Sequence, residues 1–157
     1  ACTILYLISP QIIYQYLFIS VLAAVTADTW ASEIGPIFNK KCFSLSEWRM
    51  AAAGISGGIS VAGTLAAFSG SFLVTVLAWA VSFQGMDYPM ILILTFAGFL
   101  ASFVDSVLGA FLEPRLNKMK YFVRGKGSKT ISSNDVVNLL ASFTAPLFFL
   151  QLSYILN

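Results

Sequence analysis

Carboxylates stand out in this chain because only 10% of its 157 residues are charged and 58% are hydrophobic. Asp28 and Glu33 lie five positions apart, with the hydroxyl group of Ser32 beside them. Carboxylates next to hydroxyls suit Mg²⁺, a hard cation that prefers oxygen ligands and commonly binds through one or two carboxylates plus substrate phosphates. The alternative interpretation is a helix that ends at Gly35-Pro36 and carries Trp30 as an interfacial anchor.

A third carboxylate, Asp105, lies inside a long apolar stretch. An ionisable group within a membrane span is costly, and it usually faces the bundle interior, a partner or a water-filled cavity. At about 1.5 Å per residue, Asp105 lies some 26 Å along its helix, near one membrane surface. We predict that it faces the bundle as a site residue, and the alternative is an interfacial Asp without a special role.

The segment Asn134-Asp-Val-Val-Asn138 begins the last apolar stretch and adds a second polar group. In a helix, Asn134 and Asp135 lie next to Asn138. We expect Asn134 to cap the helix, whereas Asn138 lies a turn inside a span, where its amide requires a partner. The pattern therefore predicts a polar cluster in which these residues join Asp28 and Asp105.

Glycines form another pattern in the segment Gly54-Ile-Ser-Gly57-Gly58-Ile-Ser60. Small residues four apart, here Gly54 and Gly58, let membrane helices approach closely. A glycine-rich helix start instead offers backbone amides and a positive dipole end to a phosphate group, which would make Gly57, Gly58 and Ser60 binding residues. Both interpretations stay open, and the segment is not a Walker loop because no Gly-Lys-Ser/Thr follows.

Histidine is absent, which excludes the commonest general base and zinc sites with histidine ligands. Basic residues are concentrated between Arg115 and Lys129, where Lys126 and Lys129 are flanked by glycines or hydroxyl residues. Such cations either set the membrane topology and attract anionic lipid, or clamp phosphates during phosphoryl transfer. The two cysteines are expected to remain unpaired, because they lie at opposite ends of the first span.

These residues need a scaffold, and the hydropathy pattern predicts a membrane bundle. Four stretches reach the roughly 20 apolar residues that a helix needs to cross the hydrocarbon core. They cover residues 4–27, 57–83, 88–112 and 136–156. We therefore predict an all-α polytopic transmembrane bundle of about four spans, forming a single membrane domain over residues 1–157. The first stretch lacks a basic leading segment and an obvious cleavage site, so we expect a span rather than a signal peptide.

Basic residues also predict the orientation. They fall in the connections 28–56 and 113–135, whereas residues 84–87 contain no Lys or Arg. By the positive-inside rule, both basic connections are cytoplasmic and both termini lie on the opposite side, in the plasma membrane if the source is prokaryotic. The net charge of +2 carries no nucleic-acid signature.

Taken together, four blocks resemble one integral-membrane family. They are Asp28-Thr-Trp-Ala-Ser-Glu-Ile-Gly, Gly57-Gly58 with Ser60 and Gly63, Asp105-Ser-Val-Leu-Gly-Ala and Asn134-Asp-Val-Val-Asn, and they occur in that order over residues 24–141. The family includes the phytyl-phosphate kinases of plant and cyanobacterial tocopherol synthesis and an animal transmembrane protein of unclear function. Jointly the blocks are specific, whereas any one of them alone is a weak signal.

The resemblance implies transfer of a phosphoryl group from a nucleoside triphosphate to an isoprenoid monophosphate such as phytyl phosphate. It implies Mg²⁺ as cofactor, with Asp28, Glu33, Asp105 and Asp135 as metal ligands or acid/base groups. It further implies that the other site residues bind the phosphates or orient them. These are Ser32, Gly57, Gly58, Ser60, Asn134, Asn138, Lys126 and Lys129.

The chain departs from the family pattern in two places. Members usually have further spans before the Asp-Thr-Trp block, so the sequence leaves open whether this chain is a fragment or a short variant, or whether another subunit of a homo-oligomer completes the site. The family's Gly-Thr-Asn-Gly-Gly is Gly54-Ile-Ser-Gly57-Gly58 here. Two other functions stay open: a cation-coupled transporter or lipid-binding membrane protein, and a structural subunit without catalysis.

Overall fold

The computed structural model describes residues 2–82, 86–117 and 132–156, and most of these residues are helical. Four helical segments are long and apolar enough to cross a membrane. The predicted all-α polytopic bundle of four spans is therefore confirmed. The helices are α1 (Cys2–Ile8), α2 (Ile12–Phe38), α3 (Val61–Ser82), α4 (Tyr88–Phe111), α5 (Ser133–Ser142) and α6 (Thr144–Leu156).

The first span differs from its predicted range of 4–27. Pro10 separates α1 from α2, since a proline disfavours helical backbone in the residue before it. Gly35-Pro36 was expected to end the helix, but Pro36 lies inside α2, which continues to Phe38. A proline one turn from a helix end removes only one backbone hydrogen bond. As a result, Asp28 lies within α2 and not at its end.

The other spans follow the prediction more closely. Helix α3 begins at Val61 and not at residue 57, because Ser60 caps it by accepting a hydrogen bond from the Gly63 amide at 3.1 Å. Helix α4 begins at Tyr88 as predicted and ends at Phe111. The last span consists of two helices, α5 and α6, that meet at Phe143.

A three-stranded antiparallel sheet, which the sequence did not predict, connects α2 to α3. Its strands are β1 (Lys41–Ser44), β2 (Arg49–Ala52) and β3 (Gly58–Ile59), in the order β2-β1-β3. Phe43 is paired with Met50 on one side and with Ile59 on the other. The sheet therefore fixes the position of residues 53–57, the glycine-containing turn between β2 and β3.

Small side chains occupy many of the buried helix contacts, beside a cluster of large apolar residues that includes Leu94 and Phe149. Ala23, Ala27, Ala97 and Ala145 are fully buried, whereas large apolar residues such as Leu65 are exposed. This distribution is typical of membrane bundles, in which small residues permit close helix contact and large ones face lipid. Helices α2 and α4 are central, because each contacts α3 as well as α5 and α6.

Glycines mark the closest approaches between these helices. A methyl group on Gly35 would lie 3.1 Å from the Cα atom of Gly63. The absence of a side chain at Gly35 therefore allows α2 and α3 to approach closely. A methyl group on Gly98 of α4 would lie 2.6 Å from the Ser71 hydroxyl and 2.7 Å from the Ala23 side chain. The bundle can therefore place residues of α2 and α4 in direct contact.

Candidate functional site

Asp28 of α2 and Asp105 of α4 meet in the interior, as predicted. Their carboxyl groups are partly buried and adjacent to each other, and both residues line the same two cavities. One helical turn before each aspartate, Ala24 and Ala101 are almost completely buried and allow α2 and α4 to lie close together. Two carboxyl groups in contact cannot both carry full charge without a proton or a cation between them. A proton or a cation between the two groups would relieve this repulsion.

Asn138 of α5 completes this group. With its amide oriented so that the nitrogen faces the acceptors, Asn138 donates hydrogen bonds to Asp105 Oδ1 and to the backbone oxygen of Asn134, both at 3.1 Å. The amide predicted to need a partner thus has two. We call Asp28, Asp105 and Asn138 the carboxylate cluster, which joins three helices.

The carboxylate cluster forms part of the wall of a cavity of about 550 Å³. The same wall includes Glu33 and Glu113, so four carboxylates line the cavity. Among the described residues that line it, there is no Lys or Arg. Uncompensated negative charge in a partly closed cavity attracts cations, and a bound divalent ion would be the largest local charge there.

The four carboxylates do not converge on one point. Within residues 2–82, 86–117 and 132–156, no three His, Cys, Asp or Glu side chains form a group that could hold a metal ion. Only Asp28 and Asp105 are in contact, while Glu33 is exposed at the rim. The arrangement suits a cation held by two carboxylates and completed by oxygen atoms from a ligand.

Asp135, the fourth predicted carboxylate, has a different environment. Its Oδ2 accepts a hydrogen bond from the Ser132 amide at 3.0 Å, while the Ser132 hydroxyl accepts one from Asn134. These contacts form a capping box at the start of α5. Ser132 is thus the N-cap, and the expectation that Asn134 caps the helix is wrong. Asn134 and Asn138 line the cavity, whereas Asp135 is not among its lining residues.

The glycine segment lies in a turn and not in a helix. Gly54 and Gly57 have φ values of +87° and +72°, which favour glycine, and α3 begins only at Val61. The small-residue helix contact suggested for Gly54 and Gly58 is therefore wrong. Gly57 instead packs against Ala110 of α4, because an added methyl group would lie 2.4 Å from the Ala110 Cβ atom.

The turn, β3 and Ser60 all line the cavity (residues 53–60), so Gly57, Gly58 and Ser60 lie at the same cavity as the carboxylate cluster. Ser60 caps α3, and Ser32 donates a hydrogen bond to the Thr29 oxygen at 3.1 Å while lining the cavity. Lys126 and Lys129 lie outside the described residues. The structure thus brings most of the predicted site residues to one cavity from α2, the turn, α4 and α5.

Several lining residues were not predicted as site residues. Glu113 follows α4 and lies on the cavity wall that also contains Asp105. Ser102 and Ser106 also line the cavity, although their hydroxyls already donate to backbone oxygens of α4. The helical spacing of Asp105, Ser102, Ser106 and Gly109 was a usable signal, because residues three or four apart share a helix face.

The family model for Integral membrane protein DUF92 matches residues 1–146. The chain belongs to this family. The predicted membership of an integral-membrane family is therefore confirmed, and the match includes all four sequence blocks. No solved structure matches the chain.

Three relatives illustrate the breadth of the family. Uncharacterized membrane protein MJ0933 of Methanocaldococcus jannaschii is 30% identical over 125 residues, which are 80% of this chain and 45% of the relative. Uncharacterized membrane protein sll0875 of Synechocystis is 29% identical over 126 residues, 80% of this chain and 43% of the relative. Protein PGR of Arabidopsis thaliana is 27% identical over 128 residues, 75% of this chain and 44% of the relative. The chain thus spans less than half the length of these relatives.

Proposed function

We propose that this DUF92 protein transfers a phosphoryl group from a nucleoside triphosphate to an isoprenoid monophosphate. The observation that carries the proposal is the pair of carboxyl groups, Asp28 and Asp105, on the wall of a 550 Å³ cavity in a membrane bundle. Such a site can take anionic phosphates with their cation in the cavity while an apolar chain stays in the bilayer. Acidic residues without basic partners among the described lining residues are consistent with ligands that arrive as metal complexes.

Magnesium fits the donor set of this cavity. Mg²⁺ commonly binds through one or two carboxylates and keeps its other positions for water and substrate phosphates. Asp28 and Asp105 would hold the ion, which explains why a third converging carboxylate is not needed. A bound Mg²⁺ would neutralise charge on the phosphates and orient them. Glu33 and Glu113 would act at longer range from the rim.

The residues of the chain have defined tasks in this reaction. An oxygen of the isoprenoid monophosphate attacks the γ-phosphorus, the bond to the bridging oxygen breaks, and the nucleoside diphosphate leaves with that electron pair. Positioning and charge stabilisation dominate such reactions. Asn138 would keep Asp105 in position through their 3.1 Å hydrogen bond. The turn with Gly57 and Gly58 would contact phosphate oxygens at close range.

The proposal also assigns roles to positively charged side chains. We assign Lys126 and Lys129 to the neutralisation of transferred charge, which the described lining residues do not provide. We also place the cavity at the cytoplasmic face, because Lys40, Lys41 and Arg49 lie between α2 and α3 on the same side. Nucleoside triphosphates are available in that compartment. Membrane lipid surrounds the bundle, and a homo-oligomer remains a prediction.

The decisive experiment is turnover by the purified protein in detergent. The mixture would contain Mg²⁺, geranylgeranyl or phytyl monophosphate, and each nucleoside triphosphate in turn. We expect diphosphate to form, and Asp28→Asn to abolish it while its thermal unfolding stays cooperative. Thr95→Val, which changes a polar contact outside the cavity, serves as the matched control and should retain activity. Absence of turnover with every donor from folded protein would refute the proposal.

Cation-coupled transport is the second candidate, and one observation favours it. Asp28 and Asp105 also border a smaller cavity of about 60 Å³ between α2, α4 and α5. A carboxylate pair reached from two sides suits a group that exchanges a cation between compartments. Cation-dependent flux of a substrate into liposomes without nucleotide turnover would favour this function. If neither flux nor turnover were observed, the structural role would be the remaining function.

A further inference from the structure

The wall of the 550 Å³ cavity is polar on most sides but aromatic on one. Phe99 and Phe103 of α4 line it together with Ala67 of α3. These three residues lie at the contact between the two helices, deeper in the bundle than the glycine-containing turn. The cavity therefore has an apolar side that points along the junction of α3 and α4.

The aromatic side continues outside the cavity as a series of rings. Phe103 contacts Phe99 at a centroid distance of 6.2 Å, and Phe99 contacts Phe68 edge-to-face at 5.8 Å. Phe68 in turn contacts Phe96 at 5.9 Å and stacks on Phe72 at 6.5 Å. Five rings from two helices are thus in unbroken contact. We call them the phenylalanine seam.

The seam is open to the outside of the bundle. Its outer rings, Phe68, Phe72, Phe96 and Phe103, are 36–45% exposed, although each also packs on a neighbouring ring. From Phe103 to Phe96 the chain runs back by seven residues, about 10 Å along α4 and across the middle of the helix. The seam therefore leads from the cavity into the depth occupied by lipid chains.

We propose that the phenylalanine seam binds the hydrocarbon chain of the phosphate substrate, whose head group occupies the cavity; this rests on the function proposed above. A lipid phosphate must keep its charged end in the polar cavity while its chain stays out of water. The seam is the described part of the cavity wall where large apolar side chains are continuous with the lipid-facing surface. The smaller cavity beside Asp28, at about 60 Å³, is too narrow for such a chain.

The chemistry of the seam favours one chain with flat, unsaturated segments. Phenylalanine rings are rigid, and they offer faces and edges to a π-system at little entropic cost. Adjacent rings at 5.8–6.5 Å present a continuous surface on which a single chain can lie. Phe99 and Phe103, which border both cavity and seam, would set how far the phosphate reaches towards Asp105. They are thus positioning residues for the chain.

Photolabelling tests the route of the chain independently of catalysis. A geranylgeranyl monophosphate with a diazirine at its tail would be added to the protein in lipid nanodiscs without nucleotide, and labelled peptides would be mapped by mass spectrometry. We expect labels on α3 and α4 around Phe68, Phe72 and Phe96. A separate apolar cavity of about 650 Å³ lies beside Phe18 and Leu77, between α1, α2 and α3. Labels mainly in that cavity, or on α2 and α5, would overturn the proposal.

Two variants provide a matched pair. Phe103→Ala removes a seam ring, and we expect the labelling affinity to fall on the order of tenfold, as loss of one good apolar contact would produce. Phe111→Ala removes a ring of similar exposure on the same helix that has no contact with the seam rings, and it should label like the native protein. Equal labelling of both variants would contradict the proposal.

The same experiments test the binding of the chain by the seam and the phosphoryl-transfer reaction separately. Specific labelling of the seam in a protein without turnover would support the chain site and refute the reaction. Turnover together with labels outside the seam would support the reaction and refute the chain site. A shift to a dimer in detergent that Phe68→Ala abolishes would identify a second copy as the occupant and overturn the proposal.

Discussion

The bundle contains two internal polar groups that differ in charge and access. The first is a hydroxyl cluster between α3 and α4, where Thr75 and Thr95 share a 2.8 Å hydrogen bond and Ser71 donates to the Thr95 backbone oxygen at 2.7 Å. All three residues are completely buried. The second is the carboxylate cluster, whose members are partly exposed at a cavity.

The difference between the two clusters indicates their roles. The hydroxyl cluster is neutral and its hydrogen bonds are made within the protein, so it connects helices at little cost. The carboxylate cluster places two acids in contact, which is unfavourable unless a cation or proton joins them. Neither Asp28 nor Asp105 has a described basic partner, so packing alone does not account for the pair. The free-energy cost of placing two acids together is understandable if the pair binds a ligand.

Substitution at the carboxylate cluster should have the largest effect. Asp105→Asn is expected to lower phosphoryl transfer by about 10²–10³-fold, because a group that stabilises developing charge is lost. The Asp28→Asn/Asp105→Asn double variant should be little worse than either single variant, since the pair acts as a unit. Steady-state assays with all three variants measure this coupling. Additive losses would show that the two carboxylates act separately.

The same substitution separates function from folding. Replacing Asp105 with Asn removes repulsion between two acids, so we expect thermal unfolding in detergent to move to a higher temperature. A stability loss comparable to the activity loss would make the carboxylate cluster structural, like the hydroxyl cluster. That result would remove the distinction between the two groups.

The glycine-containing turn offers a second comparison. Gly57→Ala should cost several kcal/mol, because a left-handed backbone costs about 1–2 kcal/mol and the methyl group collides with Ala110. Gly54→Ala also has positive φ but has open space around its Cα, so only the backbone cost applies. Denaturation midpoints of both variants test this difference. Equal midpoints would mean that the turn does not pack on α4 as described.

Asp135 is a carboxylate close in sequence to Asn138 that does not belong to the carboxylate cluster and does not line the cavity. Asp135→Ala and Ser132→Ala each remove half of the capping box and should each cost about 1 kcal/mol of stability. We expect activity to change little, and by the same factor in both variants. If Asp135→Ala alone lost activity as strongly as Asp105→Asn, the carboxylate would have a role in the reaction that its capping contacts do not indicate.

The hydroxyl cluster should give the smallest effect. Thr95→Val removes the hydrogen bond to Thr75, and interhelical bonds in membrane bundles contribute about 0.6 kcal/mol on average. Valine preserves the shape, so activity should be unchanged. Unfolding of the variant in detergent micelles measures the loss. A strong drop in turnover would show that this cluster is coupled to the cavity, contrary to its closed environment.

Sequence reasoning located the spans and the central pair for physical reasons. Hydrophobic length identifies a membrane helix reliably, and α4 agrees with its predicted start. Asp28 and Asp105 could be placed together because the predicted spans put both residues near the same membrane face. The cost of a carboxylate in lipid made the contact between them a reasonable expectation.

Other features depend on information that a single sequence does not carry. Gly35-Pro36 suggested a helix end, but a proline in the last turn leaves most backbone bonds intact, and α2 continues. The sheet was missed because its strands have two to four residues, and its first turn places Trp48 at a φ of 51°, unusual for a bulky residue. Asp135 carried the same charge as the site residues, yet capping contacts with its neighbours determine its position.

The unequal lengths of α2 and α3 have a consequence for the surrounding bilayer. With 27 residues, α2 is about 40 Å long, whereas the 22 residues of α3 reach about 33 Å. Both helices are longer than a hydrocarbon core of roughly 30 Å, so α2 in particular must tilt or extend beyond the lipid chains at one end. Because Asp28 belongs to the longer helix, the height of the carboxylate cluster above the lipid chains varies with membrane thickness.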